Sequence, residues 1–254
     1  MAPGSDSVAA DPSPTAPVPR ERFEAVTWYH TQELGPGMVT PGMFDLRPHI
    51  DRYGLPDDLS CLRALGFGIS EGFWAFELER RGAEVVALDV DNLQQLDWPP
   101  RLRPTDTDDQ LRGEGFRLAK AAFGSSVERV GMPIYEATPE RLGGSFDLVF
   151  IGAVAIHLRD PMLALERLAA LCHGRLILAD EYSRRLRFFP WAAAEFQGHT
   201  PWMTWWRPSI RTWLKMVETA GFDRVRKHGT FNLPFREIGK SLPHVVIHAD
   251  GPGR

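Results

Sequence analysis

The chain has only two cysteines in 254 residues, Cys61 and Cys172, far apart and in elements expected to be buried. That excludes a disulfide framework and reads as free thiols in a reducing compartment. No apolar run approaches the roughly 20 residues that span a bilayer. The opening "MAPGSDSVAADPSPTAPVPRE" has no hydrophobic stretch of the kind a secretion signal needs. A cytoplasmic location without a membrane partner is the resulting expectation. Positive charge is also not in excess. A net charge of −4 and a pI near 6.1 argue against nucleic acid as a partner. The local clusters "SRRLR" and "RVRK" read as solvated faces. No cysteine pair stands at ligand spacing and the histidines are not read as a ligand pair, so no metal centre is expected. No internal repeat is present.

What is there is an ordinary globular composition, 43% hydrophobic and 24% charged, enough for one sizeable domain with extensions. Residues 1–20, rich in Pro, Ala and Ser, are expected to be a disordered tail. Residues 21–58 are expected to form a short amphipathic helix, with Phe23, Val26 and Tyr29 near one face, and a lid-like loop punctuated by Gly-Pro, Pro-Gly and Leu-Pro steps. From residue 59 onward strands and helices alternate. "CLRALGF" reads as a strand, 72–82 as a helix, and "EVVALDV" as a central strand buried on both faces. "FRLAKAAFGS" then reads as a helix and "VERVGMPIY" as a strand. "FDLVFIGAVAIHL" is the clearest buried strand, and "DPMLALERLAALCHG" reads as a helix running from an Asp-Pro start to a stop at Gly174. The strand "RLILADEY" leads into a Trp-rich insertion over 183–207. The helix "PSIRTWLKMVETAG" and two closing strands, "FDRVRKHGTF" and "PHVVIHAD", complete the domain at 59–254. This alternation predicts an α/β, Rossmann-like, mainly parallel doubly wound sheet with an antiparallel end. Ligands of such sheets sit outside the carboxyl ends of the strands, where strand order reverses.

Three successive strand ends carry candidate residues. Gly68-Ile69-Ser70-Glu71-Gly72 is a glycine-spaced turn at a helix start, where backbone can approach a ligand. Asp89, with Val90 beside it, closes the next strand about 20 residues later, the spacing expected of a carboxylate that holds ribose hydroxyls. Glu136 and Ala137 follow the third strand, where a polar edge could meet an adenine. Each has a plainer reading as packing glycine, cap or turn former.

From Trp28 to about Ala249 the sequence resembles the class I S-adenosylmethionine-dependent methyltransferases, more narrowly the subgroup related to tRNA wobble-uridine (carboxy)methyltransferases. The resemblance rests on "WYHTQELGPGMVTPGMFDLRP", "EGFWAFELERRGAEVVALDV", "FDLVFIGAVAIHLRDPMLALERL" and "WWRPSIRTWLKMVETAGF". It implies seven strands with the last antiparallel, and S-adenosyl-L-methionine lying over Gly68 and Gly72. Asp89 would hold the ribose, Glu136 would stand near the adenine, and Gly152 to His157 would line the path to the methyl group. The chain departs from the family at Gly66, where an acid is usual and Glu71 is the nearest replacement, and at Ser70, where glycine is usual. Ile156 stands where the family commonly has tyrosine. No lysine lies between Trp28 and Gly37, which discounts a carboxylated cofactor and, with the acidic pI, tRNA.

The expected activity is methyl transfer to a small-molecule acceptor by a monomer or homodimer. His157 is the candidate base, and Glu181 and Tyr182 could bind or polarise the acceptor. Trp28, Tyr29 and His30 would fold over the site, and Trp205 and Trp206 would form an aromatic wall. The alternative is a repurposed methyltransferase fold, a cyclase, isomerase or binding protein without methyl transfer. A serine hydrolase built on Ser70 and a nicotinamide-dependent oxidoreductase are weaker readings.

Overall fold

The computed structural model describes residues 20–105, 113–199 and 202–253. The expected tail at 1–20 lies, Arg20 apart, outside the described residues. In chain order the elements are α1 (Arg20–Ala25), β1 (Arg63–Phe67), α2 (Phe73–Arg80), β2 (Glu84–Asp89), α3 (Glu114–Phe123), β3 (Glu128–Gly131), β4 (Phe146–Gly152), α4 (Pro161–Leu171), β5 (Cys172–Glu181), β6 (Ala194–Phe196), β7 (Trp206–Pro208), α5 (Ile210–Thr219), β8 (Asp223–Phe235) and β9 (Lys240–Asp250). Seven strands form one sheet in the order β3-β2-β1-β4-β5-β9-β8, and β6 and β7 form a separate two-stranded ribbon. β1 pairs in parallel with both β2 and β4, so strand order reverses beside it. β9 runs antiparallel between β5 and β8, the antiparallel end the sequence predicted.

Successive residues of the central strands feed opposite faces, as the two-residue strand period requires. Val85 and Ala87, Leu148 and Phe150, and Ile177 and Ala179 enter one core cluster. Val86 and Leu88, Val149 and Ile151, and Leu176 and Leu178 enter the other. The first cluster is closed by α2, α3 and the N-terminal segment, which contributes Trp28, Leu34, Phe44, Tyr53 and Leu55. α4 and α5 close the second. Both helices start on side-chain caps. Asp160 accepts the Leu163 N–H ahead of Pro161, and Ser209 accepts the Thr212 N–H.

Two expectations are corrected. Gly174 does not stop α4. The helix ends at Leu171 and the chain passes straight into β5, where Gly174 lies so close to Asp147 that an added Cβ would sit 1.8 Å from its carbonyl oxygen. Close backbone approach, not a helix cap, explains that glycine. Cys61 is exposed, whereas Cys172 is buried as expected. No described helix is long and apolar enough to cross a membrane.

Candidate functional site

β1 ends at Phe67, and the chain turns through Gly68, Ser70 and Gly72, all at positive φ (67°, 50° and 90°), before α2 begins. Both glycines are needed for packing. A Cβ at Gly68 would lie 2.3 Å from Val154, and one at Gly72 would lie 2.4 Å from Phe76. Ser70 takes a left-handed conformation that costs a non-glycine residue about 1–2 kcal/mol. Its hydrogen bonds offset that: the N–H donates to Asp89 Oδ2 at 2.8 Å and the hydroxyl to Glu71 Oε1 at 2.9 Å. Asp89, at the tip of β2, accepts the Val90 N–H with its other oxygen, also at 2.8 Å. One buried carboxylate thus joins the glycine turn to the second strand tip, and each oxygen keeps a lone pair beyond those bonds. Asp91 is instead drawn to Arg129 at 2.6 Å.

At the third tip the arrangement is looser. The Glu136 side chain faces solvent and pairs with Arg141 at 2.8 Å, while Ala137 is buried and donates its N–H to the Ile134 carbonyl.

The N-terminal segment closes over the glycine turn. Trp28 is buried with its indole N–H on the Phe23 carbonyl. Gln32 donates to the Glu71 carbonyl at 3.2 Å, and His30 Nδ1 stands 3.6 Å from Glu71 Oε2. These last two atoms are buried and make no hydrogen bond. Burial pushes the Glu71 carboxyl up, but His30 and Ser70 outweigh it and hold it below the usual range. Burial pushes the Tyr29 phenol well up, and the charges of Asp180, Glu71 and Glu181 add to this.

Gly152 ends β4 against Phe150 and the Trp74 indole nitrogen. The turn that follows, Ala155–His157, is held by Asp180 of β5, whose Oδ2 accepts the Ala155 N–H at 2.8 Å and the Ile156 N–H at 3.4 Å. Its Oδ1 accepts the Glu181 N–H, and burial pushes its carboxyl up to about 7. His157 Nδ1 lies 3.1 Å from the Met203 carbonyl. Since a carbonyl only accepts, Nδ1 carries the proton and Nε2 is left as a basic nitrogen. Burial lowers the His157 pKa, with His199 adding to the effect. Burial raises the Glu181 carboxyl, opposed by Arg207 at 2.7 Å. Tyr182 is half-buried and hydrogen-bonds through its backbone N–H to Pro243.

The indoles of Trp205 and Trp206 act as ties. Trp205 donates to the Asp97 carbonyl at 2.8 Å and Trp206 to the Arg159 carbonyl at 3.1 Å, which fixes the insertion to the loops after β2 and β4. His244 and His248 do stand in an H-x-x-x-H spacing. In extended β9 that separates them by about 13 Å along the strand, unlike the shared face they would have on a helix. Two surface hollows lie away from the strand tips, one against α5 and β8 and one beside Cys172 and His173.

No family model and no curated protein matches the chain in sequence. Solved structures do match. The N-terminal domain of EvdMO1, determined with SAH bound, aligns with a TM-score of 0.63 at 18% identity over 91% of this chain and 94% of that one. The YcgJ protein of Bacillus subtilis aligns with a TM-score of 0.57 at 14% identity, over 82% of this chain and 98% of that one. A Bacillus halodurans protein named provisionally as a methyltransferase aligns with a TM-score of 0.53 at 15% identity, over 82% and 98%. The chain has the Rossmann-like methyltransferase fold.

Within this methyltransferase fold, the structure gathers Gly68 to Gly72, Asp89, Val90, Gly152 and the Trp28–His30 segment around the tips of β1, β2 and β4. Sequence reasoning missed Asp180, although "LILAD" ends a buried strand in an acid just as "VVALD" does. It also missed Asp97. Its carbonyl holds Trp205, while its carboxylate accepts the Tyr135 hydroxyl and the Arg159 N–H. Neither role leaves a local signal, because each partner lies on a different loop.

Proposed function

We propose that the chain is an S-adenosylmethionine-dependent methyltransferase acting on a small-molecule acceptor. The observation that carries this reading is the clasp of Asp89 on the Ser70 and Val90 amides, at the point where strand order reverses. Ligands of open α/β sheets sit at that point. The residues present fit the cofactor. Asp89 retains lone pairs for ribose hydroxyls, and His30 Nδ1 and Glu71 Oε2, which face each other at 3.6 Å without a hydrogen bond, suit an amino-acid group that carries both charges. Gly68, Ser70, Gly72, Val90 and Gly152 complete the assigned cofactor contacts, with the backbone at Glu136 and Ala137 toward the adenine because the Glu136 side chain is turned to Arg141. When bound, the cofactor supplies an electrophilic methyl group on sulfur.

The protein's own work is placement and proton removal. Holding an acceptor in line lowers the barrier by up to about 7–11 kcal/mol in favourable models. His157 Nε2 takes the acceptor proton, and neutrality at pH 7 suits it to that role. Glu181 and Tyr182 orient the acceptor, with Trp28, Tyr29, His30, Trp205 and Trp206 as its surroundings. Small-molecule acceptors accord with a neighbour solved in the presence of SAH and D-fucose. Titration calorimetry with S-adenosylmethionine and S-adenosylhomocysteine tests the reading. Wild type should bind both, and Asp89→Ala should weaken each by about tenfold or more, as loss of a charged hydrogen-bond acceptor implies. Absence of binding at millimolar ligand would overturn it, leaving the fold as a scaffold for a cyclase, an isomerase or a binding protein.

A further inference from the structure

Two polar groups near the strand tips have no role so far: the indole N–H of Trp74 and the phenol of Tyr53. Trp74 is 4% exposed and Tyr53 2%, yet among the described residues neither Trp74 Nε1 nor Tyr53 Oη has a hydrogen-bond partner. Neither atom is among those sealed inside the protein without a partner, so each meets open space. Polar groups on nearly buried rings are hydrogen-bonded as a rule. Two donors left open side by side point to a ligand.

Both rings stand on the face of the sheet that Phe150, Ile177 and Ala179 feed. Trp74 packs on Phe150 at 4.6 Å, and a Cβ added at Gly152 would lie 3.2 Å from the indole nitrogen, which sets this N–H at the tip of β4. Tyr53 packs on Trp74 at 4.2 Å. Its carbonyl lies against His248, level with Ile177 in mid-strand, while its ring reaches Phe231, level with Glu181 through His244. The ring therefore points from mid-sheet toward the tips. The two-residue period that puts Ile177 and Ala179 on this face brings Glu181 to it as well. In the sheet, β1 and β2 lead to the glycine turn and Asp89, whereas β4 and β5 lead to His157 and Glu181. The open donors thus lie on the side assigned to the acceptor, away from the ribose.

An indole N–H can only donate. Burial pushes the Tyr53 phenol well up, with Tyr29 and Asp180 adding to this, so it keeps its proton and donates too. Two adjacent donors suit an oxygen that accepts two bonds. An anion is a poorer match, because Glu181 stands on this face and already holds Arg207 at 2.7 Å.

We propose that Trp74 and Tyr53 are specificity-determining residues that hold a carbonyl-type oxygen of an uncharged methyl acceptor at the tip of β4. The word acceptor rests on the methyltransferase reading; the oxygen site itself can be tested without turnover.

The probes are acetophenone, α-methylstyrene, which has the same shape without the oxygen, and benzoate, the anionic counterpart. They are added at millimolar concentration to the full chain, with and without saturating S-adenosylhomocysteine, and followed by nitrogen–proton correlation spectra. The Trp74 indole resonance, identified by its loss in Trp74→Phe, should move downfield with acetophenone and stay in place with α-methylstyrene. Tyr53→Phe, which keeps the ring, should weaken acetophenone binding by about fivefold or more, the effect of one neutral hydrogen bond, and leave α-methylstyrene unchanged. A Trp74 resonance that ignores acetophenone overturns the inference, as does tighter binding of benzoate. So does competition between acetophenone and S-adenosylhomocysteine for this N–H, which would give the donors to the cofactor's carboxylate. If S-adenosylhomocysteine moves no resonance while acetophenone still moves that of Trp74, the oxygen site stands and the methyltransferase reading falls.

Discussion

Asp180 Oδ2 accepts the amide N–H of Ala155 at 2.8 Å, so the tip of β5 fixes the turn that presents His157 from β4. The two strands are neighbours in the sheet, and the bond carries their register past the last ladder pair into the candidate site.

That carboxyl is fully buried, and burial raises its pKa from 3.8 to about 7. The folded state therefore holds its proton more tightly than the unfolded chain does. Its stabilising contribution is complete below pH 3.8 and is lost as pH rises toward 7. A shift of this size corresponds to about 4 kcal/mol, an order-of-magnitude figure. Asp180→Asn should remove this slope. Chemical denaturation from pH 4 to 8 should show the variant gaining on wild type as pH rises, and parallel curves would show the carboxyl to be ionised throughout.

His244 works in the opposite direction. It is buried against Phe231 with Nδ1 on the Leu242 carbonyl, and burial lowers its pKa to about 4. Stability from its neutral form is present above pH 6.5 and is lost as pH falls toward 4, by about 3 kcal/mol. His244→Gln should flatten the acid side of the stability profile. An unchanged midpoint of acid unfolding would contradict this.

Gly68→Ala should destabilise the protein by about 2–4 kcal/mol, because a side chain there meets both a positive φ and Val154. Adding Val154→Ala should recover the steric part. A double-mutant cycle would then give a coupling of about 0.5–3 kcal/mol, the range for residues in contact. Additive effects would mean that the turn shifts away from Val154.

His157→Gln should lower kcat about a hundredfold for any acceptor that loses a proton, with cofactor affinity retained. For wild type the acid limb of the rate profile should fall below the ordinary histidine value of 6.5. Equal kcat for the two proteins would leave His157 as a hydrogen-bonded anchor for Met203.

The strands were legible because burial on both faces writes continuous apolar runs, as in "EVVALDV" and "FDLVFIG". Asp89 was legible because its position depends on a local strand–turn–helix spacing. The side chain of Glu136 was not, since a strand-end acid carries no sign of whether it turns inward or pairs with Arg141. Gly174 looked like a helix stop because the Asp147 backbone beside it is distant in sequence. The indoles of Trp205 and Trp206 read as an aromatic wall, yet their N–H groups are committed to carbonyls on two other loops.

Trp28, Leu34, Phe44, Tyr53 and Leu55 share one apolar cluster with Phe73, Trp74 and Phe150. The minimal folding unit therefore begins upstream of the first sheet strand. A truncation starting at residue 59 would strip the outer layer from that cluster and expose several large rings together, so such a fragment should aggregate instead of refolding.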